Sequence, residues 1–170
     1  MFIWQYINLP VDEVRKIQYE FNQAMPDNDL FFQNLNIDTK HVLSLPLKEV
    51  VLIQVPPWGG IDNEGIHTDA GDTKLAINIP LYNCEDSITS FWESSISPEL
   101  YKTKNNHEYA YYKADNCKKI AEFKLIDPVI FEVKIPHTVT NPTNKWRRAI
   151  SLRFIKDPWH LIKSNISNTA

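Results

Sequence analysis

Between positions 11 and 25 the apolar residues Val11, Val14, Ile17, Phe21 and Met25 recur at spacings of three and four. That repeat gathers them on one face of a helix. Pro10 precedes the segment and Pro26 ends it, because proline lacks the N–H that a continuing helix needs. A short apolar run at 2–9 comes first, so the spacing predicts an N-terminal strand and helix over 2–25. The segment 27–38 is polar with Phe31 and Phe32 inside it, and reads as a loop docked on the core.

After residue 41 the period changes. The runs at 49–55, 74–82, 88–92, 129–135 and 147–155 are short and rich in Ile and Val. β-branched residues in runs of this length predict strands. The separators Pro56-Pro57, Trp58-Gly59-Gly60, Ala70-Gly71-Asp72, Asn83 and Asn141-Pro142 predict turns. The expected fold is mainly β, a sandwich or jelly roll, with the helix packed on one sheet. No repeat and no Gly/Ser-rich linker divides the chain, so 1–170 is read as a single domain. Residues 94–126 are the least regular. They mix Lys102, Lys104, Lys113, Lys118 and Lys119 with Tyr101, Tyr109, Tyr111 and Tyr112. The expectation there is a solvated excursion or a lid over a site; a nucleic-acid surface is the rival.

Composition narrows the function classes. The chain has 170 residues, 43% hydrophobic and 23% charged, which excludes global disorder. The net charge of −3 and pI near 5.9 argue against a nucleic-acid partner. Two cysteines without a CxxC pair exclude a disulfide scaffold, and suggest the reduced thiols of a cytoplasmic protein. No basic stretch followed by an apolar run and a cleavage site opens the chain, and no run of 18 apolar residues predicts a membrane span. Arginine is scarce. Only Arg15, Arg147, Arg148 and Arg153 occur, and three of the four fall in one predicted strand.

Three sites carry candidate chemistry. His67 and Asp69 flank Thr68 in the predicted strand 65–69, and alternation puts both on one face. His137 follows the apolar run at 128–135, and Arg147 opens a strand ten residues later. Two imidazoles and one carboxylate can fill three adjacent corners of an octahedral metal. Such a facial set suits non-haem Fe(II), whose open corners take a chelating co-substrate and dioxygen. The absence of thiolate ligands argues against a closed structural zinc site. Arg147 is a natural anchor for a carboxylate through paired charge-assisted hydrogen bonds.

With HTD at 67–69, PHTV at 136–139 and RRAIS at 147–151, in this order along predicted strands, the sequence resembles the Fe(II)/2-oxoglutarate-dependent dioxygenases. The resemblance covers 48–155. It implies a double-stranded β-helix core, jelly-roll or cupin-like, over that range. It also implies Fe(II) held by His67, Asp69 and His137, with 2-oxoglutarate on Arg147 and dioxygen as co-substrate. The implied activity hydroxylates a small molecule or a peptide side chain and decarboxylates 2-oxoglutarate to succinate. A family member often carries a hydroxyl two residues after the arginine, where this chain has Ala149; Ser151 shares the same face instead.

Other residues are less determined. Arg153 shares the face of Arg147, and a buried guanidinium needs a partner: Asp69, another acid, or a substrate carboxylate. Asn78 faces either the pocket or a defect in the ladder. Trp92, with Trp58 and Trp159, either walls the pocket or belongs to the core. Arg148 is expected on the outer face, in solvent. His41, His107 and His160 are expected to be ordinary histidines, and Cys84 and Cys117 inert. Two rival functions stand beside the oxygenase. One is a cupin-like module that is non-catalytic or uses a metal differently, against which the spacing of Arg147 counts. The other is a nucleic-acid alkyl-repair dioxygenase, whose R-x5-R pattern Arg147 and Arg153 match but whose basic groove the acidic balance opposes. Specificity is expected from the loops 26–41, 56–64 and 94–126.

Overall fold

In the computed structural model residues 1–60, 65–102, 106 and 108–162 are described. His107, Lys104 and the 61–64 part of the 56–64 loop lie outside them. The described elements are, in chain order, β1 (Trp4–Tyr6), α1 (Val11–Gln23), β2 (Phe32–Asn34), β3 (His41–Val42), β4 (Leu45–Val55), β5 (Ile66–Asp69), β6 (Leu75–Tyr82) and β7 (Ile88–Ser94). They continue with β8 (Glu99–Lys102), β9 (Glu108–Tyr112), β10 (Cys117–Lys124), β11 (Val129–Glu132), β12 (His137–Thr140) and β13 (Arg147–Phe154), with short 3-10 turns at Ala114–Asn116 and Trp159–Leu161.

The strands form two antiparallel sheets. The larger runs β1-β11-β6-β13-β4-β2, with β3 beside β4; the smaller runs β10-β7-β12-β5-β9-β8. Successive strands β4, β5, β6 and β7 alternate between the sheets, and so do β10, β11, β12 and β13. That alternation is the double-stranded β-helix, a closed form of jelly roll. All the strands that the sequence pattern predicts are present, with boundaries within four residues.

Alternation along the large sheet's strands divides the core. Ile150, Leu152, Ile77, Ile79, Leu52 and Val50 face outward and pack with Ile17 and Phe21 of α1. No side chain caps the start of α1, but Asp12 and Glu13 stand in its first turn, where the helix dipole favours acids. The opposite face of the same strands looks between the sheets. At one end Ala76, Phe91, Phe123, Phe131 and Ala149 fill that space. At the other, Val51, Ile53, Val55 and Val139 do, with Phe31 and Phe32 docked on them as the sequence suggests. Ala149 and Ile53 join the two clusters as Cα partners, and Arg147, Ser151 and Asn78 share that inner face with them.

Residues 94–126 are more regular than their composition implies. β10 pairs with β7 as the edge strand of the smaller sheet, and β8 and β9 form a hairpin joined to β5. Their alternating Lys and Tyr residues are two-faced strand patterns at a sheet edge, hard to tell from a polar loop without their partners. Among the described residues no helix is long and apolar enough to cross a membrane.

Candidate metal centre and its pocket

β5 is the strand that delivers the first two ligands. It can run close to β9 because Gly65 sits at φ +70, where a Cβ would meet the Tyr111 ring at 2.3 Å. His137 opens β12 directly across from His67, its Cα partner. Cross-strand pairing thus brings residues 70 positions apart onto one face, with Asp69 beside them. One ligand atom from each of His67, Asp69 and His137 lies within 4.8 Å of the others. The Nε2 atoms of His67 and His137 lie 3.8 and 3.9 Å from Asp69 Oδ1.

The rings are aimed by the backbone. Nδ1 of His67 lies 3.2 Å from the Gly65 carbonyl, and Nδ1 of His137 lies 2.9 Å from that of Ile135. A carbonyl fixes the proton on Nδ1 and leaves the Nε2 lone pair free for the centre of the group. Phe131 and Phe91 pack against the His137 ring at 5.5 and 6.2 Å between centroids. Burial pushes the His137 imidazole down to about 4, and the neighbouring His67 adds to it, so the ring is neutral at pH 7 as a ligand must be. Burial alone raises the Asp69 carboxyl. The charge of Arg153, with those of His137, His67 and Lys134, together outweighs that, and the carboxyl ends below its usual range.

Arg153 therefore has its partner: Nη2 donates to Asp69 Oδ2 at 2.5 Å. The contact occupies one carboxylate oxygen and leaves Oδ1 facing the histidines. Lys134 braces the same turn from behind. Its ammonium donates to the carbonyls of Asp69 at 2.6 Å and Gly71 at 2.8 Å, tying the end of β5 to the turn before His137.

Arg147 is fully buried. Its Nε donates to Ser87 Oγ at 3.4 Å, while Nη1 and Nη2 find no hydrogen-bond partner among the described residues. Asn78 Oδ1, Ser151 Oγ and Arg153 Nη1 are buried without partners too. Asn78 and Ser151 are Cα partners on adjacent strands, and Ser151 shares the inner face of β13 with Arg147 and Arg153. Each buried unsatisfied polar group costs about 1–3 kcal/mol, more when charged. A row of them in line with Arg153, which contacts the His–Asp–His group, is a lining that suits a polar ligand. The nitrogen and oxygen donors suit a divalent iron, and the two free guanidinium N–H groups suit a carboxylate.

Other sequence candidates fall elsewhere. Phe91 faces His137, so alternation turns Trp92 to the opposite face of β7, where Lys119 lies over its ring. Trp92 is not a wall of this pocket. Trp58 and Trp159 are 70% and 45% exposed and wall nothing. Arg148 is not a solvated charge: its Nε donates to the buried Gln54 Oε1 at 3.0 Å. Both cysteines are free.

Four contributors escape the sequence reading. Ser87 braces Arg147. Lys134 braces Asp69. Asn141 donates to the carbonyls of Val55, Pro56 and Lys145, and so shapes the turn between His137 and Arg147. Tyr109 lies edge-on to His67 at 5.9 Å. Asn141 left a trace in the sequence as half of an Asn-Pro turn signal, and Tyr109 as one of the tyrosines of 94–126.

No family model and no curated protein matches the chain. Solved structures do match its shape. EvdMO1 superposes with a TM-score of 0.53 at 13% identity, over 90% of this chain and 47% of that one. The chain thus spans about half the length of EvdMO1. A Pseudomonas putida prolyl-4-hydroxylase gives 0.45 at 15% identity over 91% and 92% of the two chains. AviO1 from Streptomyces viridochromogenes Tue57 gives 0.47 at 12% identity over 92% and 90%. The likeness to EvdMO1 is one of fold, and the fold is the one that the sequence resemblance implies.

Proposed function

We propose that the chain is an Fe(II)- and 2-oxoglutarate-dependent oxygenase acting on a small molecule or a peptide side chain, in the reducing environment of the cytoplasm. One observation carries the reading: a fully buried arginine whose Nη1 and Nη2 find no partner among the described residues lies on the same face of β13 as Arg153, which contacts Asp69 of the His–Asp–His group. An uncompensated buried guanidinium is costly unless an anion completes it. His67, Asp69 and His137 are the residues to hold the iron, and Arg147 the one to hold the distal carboxylate of 2-oxoglutarate. When bound, the pair supplies oxidative chemistry, in which dioxygen is reduced, 2-oxoglutarate becomes succinate and carbon dioxide, and a substrate C–H bond is hydroxylated. The chain's part is to bind, orient and exclude water. Arg153 keeps Asp69 ionised and oriented. Asn78 and Ser151 offer further polar contacts along the co-substrate.

The test is anaerobic titration of 2-oxoglutarate into the Fe(II)-loaded protein. The expected result is a weak metal-to-ligand charge-transfer band in the visible. It weakens at least tenfold in apparent affinity in Arg147→Ala and vanishes in His137→Ala. A wild-type protein without the band, or an Arg147→Ala protein with an unchanged titration, overturns the reading.

A further inference from the structure

We propose that the β8–β9 hairpin is the substrate wall of this site, and that it selects a neutral substrate carrying a flat apolar ring. The proposal rests on the oxygenase reading for what happens next to the metal, but not for how the ring binds.

The register makes the wall. His67 pairs with Tyr111, and Tyr111 with Glu99. Asp69 pairs with Tyr109, and Tyr109 with Tyr101. Cα partners in an antiparallel sheet put their side chains on the same face. The face that presents the metal ligands thus continues as Tyr109 and Tyr111 on β9 and Tyr101 on β8, with Glu99 beside Tyr111. The rings are arranged, not scattered. Tyr101 stacks on Tyr109 at 6.0 Å and meets Tyr111 edge-on at 5.7 Å. Tyr109 then meets His67 edge-on. From the other cluster Phe31 also meets His67 edge-on, at 6.4 Å. His67 is flanked by aromatic rings from two directions, the hairpin and the 27–38 loop.

The chemistry of the wall selects the ligand. Phenol rings in offset or edge-on arrays offer π faces to another flat ring, in addition to the apolar area that the ring buries. Tyr101 remains 48% exposed, so the outer end of the array is accessible. Among the described residues Glu99, on the tyrosine face, pairs with Lys113 at 3.1 Å, and Lys102 pairs with Glu108 at 2.8 Å on the opposite face. A phosphate-bearing substrate needs uncompensated lysines or arginines, and among the described residues the lysines at this hairpin are paired with glutamates. The wall therefore favours a neutral ring. The rival role for the tyrosines is to hold the hairpin together through cross-strand pairs. That role predicts effects on melting, not on ring binding.

Saturation-transfer NMR separates the two. The protein is loaded with Zn(II), which cannot turn over, and with 2-oxoglutarate, then titrated with indole, adenosine 5′-monophosphate or a single-stranded oligothymidylate. Wild type is expected to bind indole at least tenfold more tightly than either charged probe. Tyr109→Ala and Tyr101→Ala are expected to lose that binding at least tenfold, and Tyr109→Phe to keep it. Thermal melts check that each variant is folded, and the exposed Tyr101 serves where Tyr109→Ala is not. Indole that fails to bind wild type, or binds Tyr101→Ala equally well, overturns the proposal, as does tighter binding of a charged probe. None of these readouts needs iron. A protein that binds indole through Tyr109 yet gives no Fe(II)/2-oxoglutarate band keeps the wall and loses the oxygenase reading; the reverse loses the wall alone.

Discussion

At the scale of single residues, the pocket holds its charges by burial and pairing together. His137 illustrates the balance. Its imidazole is lowered from 6.5 to about 4, by burial first and then by the neighbouring His67. Between those values the unfolded chain binds a proton at this position that the folded chain refuses. Stability is thus greatest above about pH 6.5, falls as pH drops towards 4, and then stops falling on this account. At 1.36 kcal/mol per unit the loss is about 3 kcal/mol. Asp69 acts below that window: its carboxyl is lowered from 3.8, so the stability it contributes is present above that value and is lost as pH falls further. Thermal melts of the metal-free protein from pH 7 to pH 4 are expected to show the first decline. His137→Leu, which has no proton to bind there, is expected to flatten it. A wild-type melting temperature that is level across the window would contradict the account.

At the scale of elements, the β3–β4 hairpin shows where local rules give way. Its two turn residues, Leu43 and Ser44, both have positive φ, 52 and 62. That is a type I′ turn, which suits the twist of a two-residue hairpin but prefers Asn-Gly. Neither residue is cheap there, and left-handed backbone costs about 1–2 kcal/mol per residue. The turn persists because Leu43 packs against the helix-side core and its N–H donates to Glu13 of α1 at 2.8 Å. Ser44 is exposed and has no such support. Ser44→Gly is expected to stabilise the protein by about 1 kcal/mol, or about 2–4 °C in melting temperature, while Ser44→Ala gains nothing. Equal melts for the glycine and alanine variants would remove the strain argument. The same turn marks a limit of sequence reading, since Leu-Ser carries no turn signal. The metal ligands were legible because their signal is local: two residues on one strand, then single residues at the mouths of others. Trp92 was misplaced for the complementary reason. Alternation says that Phe91 and Trp92 face opposite ways, but only the paired sheet says which of them faces in. Lys134 and Ser87 were invisible, because each acts on a partner at least 60 positions away.

At the scale of the whole molecule, the fold fills the space between its sheets with apolar side chains and leaves a set of buried polar atoms among them unsatisfied. Arg147, Asn78, Ser151 and Arg153 line a pocket with polar atoms that no described residue completes. Such a site trades stability for binding, and the trade can be measured in both directions. A ligand that binds only the folded state adds about 2.7 kcal/mol when present at a hundred times its dissociation constant. For a chain of this size that is about 5–10 °C. The Zn(II)-loaded protein is therefore expected to melt higher by that amount with saturating 2-oxoglutarate. Arg147→Met keeps the side chain's volume, removes the unpaired charge and lacks the two donors. Exchanging a buried charge for a packed apolar group is neutral or stabilising. The variant is expected to melt at or above wild type without 2-oxoglutarate and to gain nothing from it. If it melts several degrees lower and still responds to 2-oxoglutarate, the guanidinium belongs to the fold and not to the ligand.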